Sequence, residues 1–445
     1  MKNTTRIFGW SLIVALGGFL FGFDTAVISG AEKHIQELFQ LNSFWHGFTI
    51  SSALIGTVIG ALVAGKPADK YGRKPILFIV AFLFAFSAIG SALADSVTSF
   101  ILYRFIGGIG VGASSVVAPT YISEISPAKI RGKMTALFQF NVIFGIMMAF
   151  ISNYLLRNMG EEPWRFMLGV EGIPAVAYFF LLFLVPRSPR YLIKIGKIAE
   201  ARSVLNKVES GDIEAEIDDI KSSLDKPGDK RVNLFSGRFS KPITIAFLVA
   251  MFNQFSGINA ILYYAPRMFE LTGMSSADSM FQPIIIGITN ALFTMLGLLL
   301  IDRVGRKKLL IVGSIGMSVC LGLVSRSFYM QDFAGYELLI YLMFYIMFFA
   351  FSTGAVIWVL IAEVFPNSVR AQGQSLGSST HWFFAALITF LFPVIAENTE
   401  LGGGHSFALF AIMMVVQVIV VWKYFPETKG KTLEELGEEI IYDRN

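Results

Sequence analysis

Gly65-Lys-Pro-Ala-Asp69-Lys-Tyr-Gly72-Arg73-Lys74 and, 233 residues further on, Asp302-Arg-Val-Gly305-Arg306-Lys307 are the two stretches that decide how this chain is built. Each follows a long apolar run and carries the same acid, glycine and basic pair. Two more pairs sit at almost the same distance. Glu124-Ile-Ser-Pro127-Ala-Lys-Ile-Arg131 returns as Glu363-Val-Phe-Pro366-Asn-Ser-Val-Arg370 at an offset of 239, and Pro186-Arg-Ser-Pro-Arg190 returns as Pro426-Glu-Thr-Lys-Gly430 at 240. Three matches at a nearly constant offset read as a tandem duplication, the pattern of secondary transporters built from repeated helical units.

The runs between these loops set the class. Of 445 residues, 54% are hydrophobic, 43 are Phe and only 15% are charged. A soluble protein carries about 25% charge, and a disordered one is polar and poor in aromatics. Twelve runs reach the roughly 20 apolar residues that a bilayer-crossing helix needs. They lie near 7–30, 45–65, 75–94, 98–122, 134–156, 166–186, 242–265, 280–301, 309–329, 338–362, 374–396 and 405–425. The first is too long for a cleavable signal, lacks a small-residue cleavage site and contains Asp24. The fold class expected is therefore an all-α membrane protein of twelve transmembrane helices. Residues 1–186 form one six-helix half, 187–241 a helical linker, 242–425 the second half, and 426–445 a tail.

Basic residues favour the cytoplasmic side of a membrane. With both termini inside, 30 of the 36 Lys and Arg fall on that side; five (Lys33, Arg157, Arg165, Arg267 and Arg326) fall outside, and Arg104 lies within a span. The acids show no such bias. This topology predicts a multi-pass inner-membrane protein with both ends cytoplasmic. The linker holds 21 charges in 55 positions. Its helical stripe is read as Ala199, Val204, Leu205 and Val208, broken at Pro227-Gly228.

Several functions drop out. One cysteine, Cys320, excludes a disulfide scaffold and a cysteine zinc site, and no metal site is expected. The net charge of +4 is small and scattered, which argues against nucleic acid. Gly60-Ala-Leu-Val-Ala-Gly65-Lys66 imitates a phosphate loop, but Pro67 takes the Ser/Thr position and a helix precedes it. No nucleophile constellation marks an enzyme, and no cofactor is expected beyond a proton as coupling ion.

Ionisable groups within spans are costly and mark function. Asp24, Arg104 and Glu171 stand five or six residues from the outer ends of their spans. At 1.5 Å per residue the three share a depth of roughly 8–9 Å, and they are expected to meet and couple transport to a proton. At the loops, Asp69, Arg73, Glu124, Arg131, Asp302, Arg306, Glu363 and Arg370 are expected to pair between neighbouring helix ends as a cytoplasmic gate. The interior also holds uncharged amides: Gln139, Asn253, Gln254, Asn259 and Asn290. An amide offers both a donor and an acceptor, which matches the hydroxyls of a neutral polyol.

These loops, with Gly17-Gly-Phe-Leu-Phe-Gly-Phe-Asp24, Arg104-Phe-Ile-Gly-Gly-Ile-Gly-Val-Gly112 and Gln254-Phe-Ser-Gly-Ile-Asn259 followed by Tyr263-Tyr264, resemble the sugar porters of the major facilitator superfamily over essentially the whole chain. The likeness is greatest to bacterial members that carry xylose with a proton. It implies sugar contacts for Gln139, Asn253, Gln254, Asn259, Asn290 and Trp358, with Phe21, Tyr263 and Trp382 as surrounding aromatics. It also agrees with Asp24 as coupling carboxylate, since facilitative members carry Asn there. Asn253 and His381 stand where those bacterial members carry glutamine, so the choice between pentose and hexose is open. His381 is read as a buried, hydrogen-bonded member of the pocket. Ala355 replaces a proline after Gly354, which is read as a bend in span 10, and Arg187 replaces a glutamate. The function expected is a proton-coupled monosaccharide symporter working by alternating access, as a monomer in the lipid bilayer. A facilitative uniporter is the alternative, and a sugar sensor is a third reading that the short tail disfavours.

Overall fold

The computed structural model describes the chain except residues 1, 128–129, 209–211, 226–233, 271–272, 334–335, 367–368, 399–400, 432–434, 437–439 and 441–445. Pro227 and Gly228 therefore lie outside the described residues. Among those described, twelve helices are long and apolar enough to cross a membrane. Spans 1 to 6 are Thr5–Gly30, Ser43–Val63, Arg73–Ala92, Val97–Ile125, Arg131–Leu156 and Pro163–Leu184; spans 7 to 12 are Ser240–Glu270, Asp278–Val304, Arg306–Met330, Glu337–Glu363, Gln372–Glu397 and Gly402–Tyr424. Each lies within a few residues of its expected run, and the described secondary structure is entirely helical.

Chain contacts group the molecule into two compact units. Unit 1 comprises Met1–Val27, Ile55–Ala149 and Arg165–Arg231; unit 2 comprises Ile28–Leu54, Phe150–Trp164 and Val232–Asn445. The end of span 1 and the start of span 2 thus belong to unit 2.

Within unit 1, spans 2 and 4 pack backbone to backbone. A Cβ on Gly112 would sit 2.2 Å from the carbonyl oxygen of Thr57, and one on Gly56 would sit 2.1 Å from that of Phe105. This is the close approach that small residues spaced by four permit in lipid. Span 4 starts with a capping box in which Ser96 and Ser99 exchange hydrogen bonds, satisfying amides that the helix leaves open. Three linker helices follow: Pro189–Lys194, Ile198–Val208 and Ile213–Asp225. The buried stripe of the second is Ala201, Val204, Leu205 and Val208; the expected Ala199 is exposed. Positions 201, 204, 205 and 208 follow the 3,4 spacing of one helix face, which 199 does not. The Arg202 guanidinium grips Glu214 at 2.6 and 3.0 Å and holds its carboxyl below the usual range.

Unit 2 contains two broken spans. Span 7 breaks at Gly257, whose φ of +84° an L side chain rarely adopts, and it kinks again at Tyr264 (φ −117°, ψ 15°). Span 10 breaks at Ser352 (φ −113°, ψ −97°), just before the expected bend at Gly354. The Ser352 hydroxyl donates to the Phe348 carbonyl, a local bond that competes with the helical ladder. The apolar core of this unit gathers Ile245, Val249, Leu309, Leu310, Ile357, Leu360 and Phe425, and Leu436 and Ile440 of the tail bury against it.

Candidate functional sites

In unit 1 the three intramembrane charges come together. Arg104 ion-pairs with the Asp24 carboxylate through Nη1 and donates to the Asp24 carbonyl through Nη2 at 3.2 Å. Glu171 is fully buried and its carboxyl faces the charges of both. With both carboxyls ionised the trio sums to −1 in a site walled from water; with one proton added it is neutral. Burying an uncompensated charge is expensive.

In unit 2 the break at Gly257 shapes a polar cluster. The positive-φ turn ends one helix at Phe255 and starts the next at Ile258. Gln254 and Asn259 consequently face each other: Asn259 Nδ2 donates to Gln254 Oε1 at 2.8 Å. Gln254 Nε2 donates to Asn253 Oδ1 at 2.9 Å and lies 3.3 Å from both His381 ring nitrogens. His381 sits between two indoles, with ring centroids 4.8 Å from Trp358 and 4.8 Å from Trp382. Trp358 is 36% exposed, while Gln254, Asn259, Tyr263 and Trp382 are buried. Amides carrying spare donors and acceptors beside two aromatic faces are what a polyol with an apolar C–H face requires. Asn290 is buried on span 8 and accepts from Thr294 at 3.4 Å. Gln139 and Phe21 are half-buried residues of unit 1.

The loop charges form the same figure twice. Arg73 Nη2 pairs with Asp69 at 3.0 Å and Glu124 at 2.8 Å. Arg306 pairs with Asp302 at 3.0 Å and Glu363 at 2.7 Å. Each pattern is internal to its unit. A hydroxyl completes each: Ser188 donates to Glu124 at 2.5 Å and Thr428 to Glu363 at 2.6 Å. Those two residues escaped the sequence reading, although they lie 240 apart, the offset of the third repeated loop. Glu427 was also missed. Its carboxylate accepts the Arg306 and Lys307 amides at 2.9 and 3.2 Å, capping the positive end of span 9. Arg187 holds the matching place in unit 1 and has no carboxylate to offer. Arg131 and Arg370 donate to the backbone carbonyls of Ser123 (3.1 Å) and Phe365 (3.3 Å).

The glycine turn with its amide cluster, the buried charge trio and the doubled loop figure are together on one helical chain, and comparison with known proteins gives their setting. The sequence profile described as "Sugar (and other) transporter" matches residues 10–440. The chain belongs to that family. It is 37% identical to the D-xylose-proton symporter of Escherichia coli K12 over 98% of this chain and 96% of that one. It is 36% identical to the arabinose-proton symporter of Bacillus subtilis over 96% and 93%. The inward open structure of the xylose transporter XylE from E. coli superposes with a TM-score of 0.86 at 35% identity, covering 97% of this chain and 99% of that chain. The nucleoside transporter NupG, at 15% identity and a TM-score of 0.66, shares the fold. This family member is a multi-pass membrane protein of the sugar-transporting class.

The paired loop charges make a stability prediction. In an Arg306→Met variant, the mostly buried Glu363 keeps only the Thr428 hydroxyl, a loss of about 2–3 kcal/mol. Arg131 is exposed and donates to one carbonyl, so Arg131→Met should cost at most about 0.5 kcal/mol. Thermal unfolding of the purified variants in detergent should separate them by several degrees. Equal melting temperatures would show that the Asp–Arg–Glu figure holds nothing together.

Proposed function

We propose that this family member is a symporter that moves one monosaccharide with a proton, exposing its sugar site to each side of the membrane in turn. The observation that carries the reading is the Asp24–Arg104–Glu171 trio: a sealed charge site whose net charge is −1 or zero according to one proton. The printed activities of the xylose and arabinose relatives support it. One charge moved across 100 mV is worth roughly 2.3 kcal/mol, enough for an accumulation on the order of fifty-fold.

The sugar is held by Gln254, Asn259, Asn253 and His381 between Trp358 and Trp382, with Tyr263 nearby; Asn290, Gln139 and Phe21 are assigned on the family resemblance. Loops carrying Arg73 and Arg306 face the cytoplasm, the side that the distribution of Lys and Arg favours, with both termini inside a cell membrane. There the two Asp–Arg–Glu figures brace the helix ends that move during the cycle.

The test is uptake of labelled xylose, arabinose and glucose by proteoliposomes, with and without an imposed inside-alkaline gradient. At least one sugar should accumulate above its external concentration only when the gradient is present. Equilibration alone, with or without the gradient, would establish a uniporter instead.

A further inference from the structure

The mechanism leaves one buried charged cluster unused, at the opposite end of unit 2 from the Arg306 loop. His46, in the first turn of span 2, is fully buried, and both of its ring nitrogens face carboxylates. Nε2 lies 2.9 Å from Glu32, on the short helix after span 1; Nδ1 lies 3.6 Å from Glu397, at the end of span 11. Arg267, on the second half of span 7, closes the figure at 3.3 Å from Glu32 and 3.0 Å from Glu397. The ring Glu32–His46–Glu397–Arg267 therefore ties four separate segments. Gln36 braces it, accepting from Arg267 at 2.8 Å and donating to Glu397 at 3.1 Å. The other polar neighbours are Tyr264, whose ring is 5.9 Å from His46, Ser43 on Glu397, and the adjacent Lys33–Glu270 pair at 2.5 Å. His34 and Glu37 line the small cavity beside it, with Ser29.

Charge arithmetic gives this ring a switch. Lys33 and Glu270 cancel. Two carboxylates and one guanidinium sum to −1 while His46 is neutral, and protonating His46 brings the ring to zero. Glu32 is 1% exposed, so an uncompensated charge there is costly and protonation tightens the ring.

The ring also has a lever. Arg267 lies near the end of the helix Ile258–Glu270, and Asn259 of the amide cluster lies at its start, just after the Gly257 turn. The kink at Tyr264 falls between them, where the Tyr264 hydroxyl donates to the Thr389 carbonyl of span 11 at 3.1 Å.

We propose that Glu32, His46, Arg267 and Glu397 form an outer latch that holds the second half of span 7 closed and that protonation of His46 locks. The latch deepens the transport reading, since only a protein that opens this end during its cycle needs one. Acid outside drives the symporter through Asp24 and at the same time strengthens closure at this end.

The test follows opening directly and does not depend on sugar transport. In a Cys320→Ser background, Ser29→Cys places a single thiol at the cavity beside the ring. The protein is held in nanodiscs and reacted with a polar methanethiosulfonate at pH 5.5 and 8, with and without His46→Gln. The His46→Gln chain should label at least fivefold faster than its parent at pH 5.5 and within twofold of it at pH 8. Glu397→Gln should reverse the sign. With one carboxylate gone the ring is neutral when His46 is neutral and +1 when protonated, so this chain should label faster in acid once the thiol's own titration is divided out against His46→Gln. Retained helical circular dichroism and a single gel-filtration peak show that the variants fold. Equal labelling of parent and His46→Gln at pH 5.5, or a Glu397→Gln response of unchanged sign, overturns the latch. A latch that behaves as expected in a protein showing no uptake of any sugar tested would leave the latch standing and overturn the transport reading.

Discussion

Replacing Asp24 with asparagine abolishes concentrative uptake while leaving exchange intact: an accumulation on the order of fifty-fold at 100 mV falls to unity, and counterflow of labelled sugar continues. The physical reason is that the asparagine keeps the shape of the side chain and an oxygen for Arg104 but is permanently in the uncharged state. Arg104 and Glu171 then sum to zero, so the site no longer carries a charge penalty that a proton relieves. Gradient-driven uptake and counterflow measured on the same proteoliposome batch separate the outcomes. Loss of both would mean that Asp24 orders the bundle or the sugar site. Retention of both would mean that the trio is a static ion pair.

Gln254→Ala should be the most damaging change in the amide cluster. Gln254 bonds Asn253 and Asn259 and lies 3.3 Å from His381, so its removal strips partners from three buried side chains at once. At about 1–1.5 kcal/mol for each of two hydrogen bonds lost to the sugar, affinity should fall by roughly 30- to 150-fold. Trp358 and Trp382 flank the cluster and supply the readout, since sugar binding should quench their fluorescence. The titration midpoint of Gln254→Ala should move to higher sugar concentration, and that of Asn290→Ala much less, because Asn290 is described only with Thr294. Equal shifts would place the sugar elsewhere.

The helices were legible because a membrane leaves the sequence few choices. Twelve apolar runs became twelve spans within a few residues. The common depth of Asp24, Arg104 and Glu171 gave their meeting, because rise per residue converts directly into position along a span. The loop charges were legible through their repetition. What the sequence pattern hid was local geometry. Nothing in the apolar pattern of span 10 marks Ser352, since its break depends on a hydroxyl turned back onto Phe348. Gly257 sits inside a recognised stretch, yet the reason for that stretch, a positive-φ turn that lets Gln254 meet Asn259, appears only in the fold. Ser188 and Thr428 were hidden among ordinary loop residues, and only the 240-residue offset marks them. The His46 ring was hidden more deeply, because its four members are drawn from segments up to 365 residues apart that no periodicity connects.

The central claim is that sugar and proton enter together. It is tested most directly by adding xylose or glucose to de-energised, weakly buffered proteoliposomes and recording external pH. Coupled entry predicts an immediate alkalinisation of the medium that a proton ionophore collapses and that Asp24→Asn lacks. Sugar entry at the same rate with no movement of external pH would contradict the account.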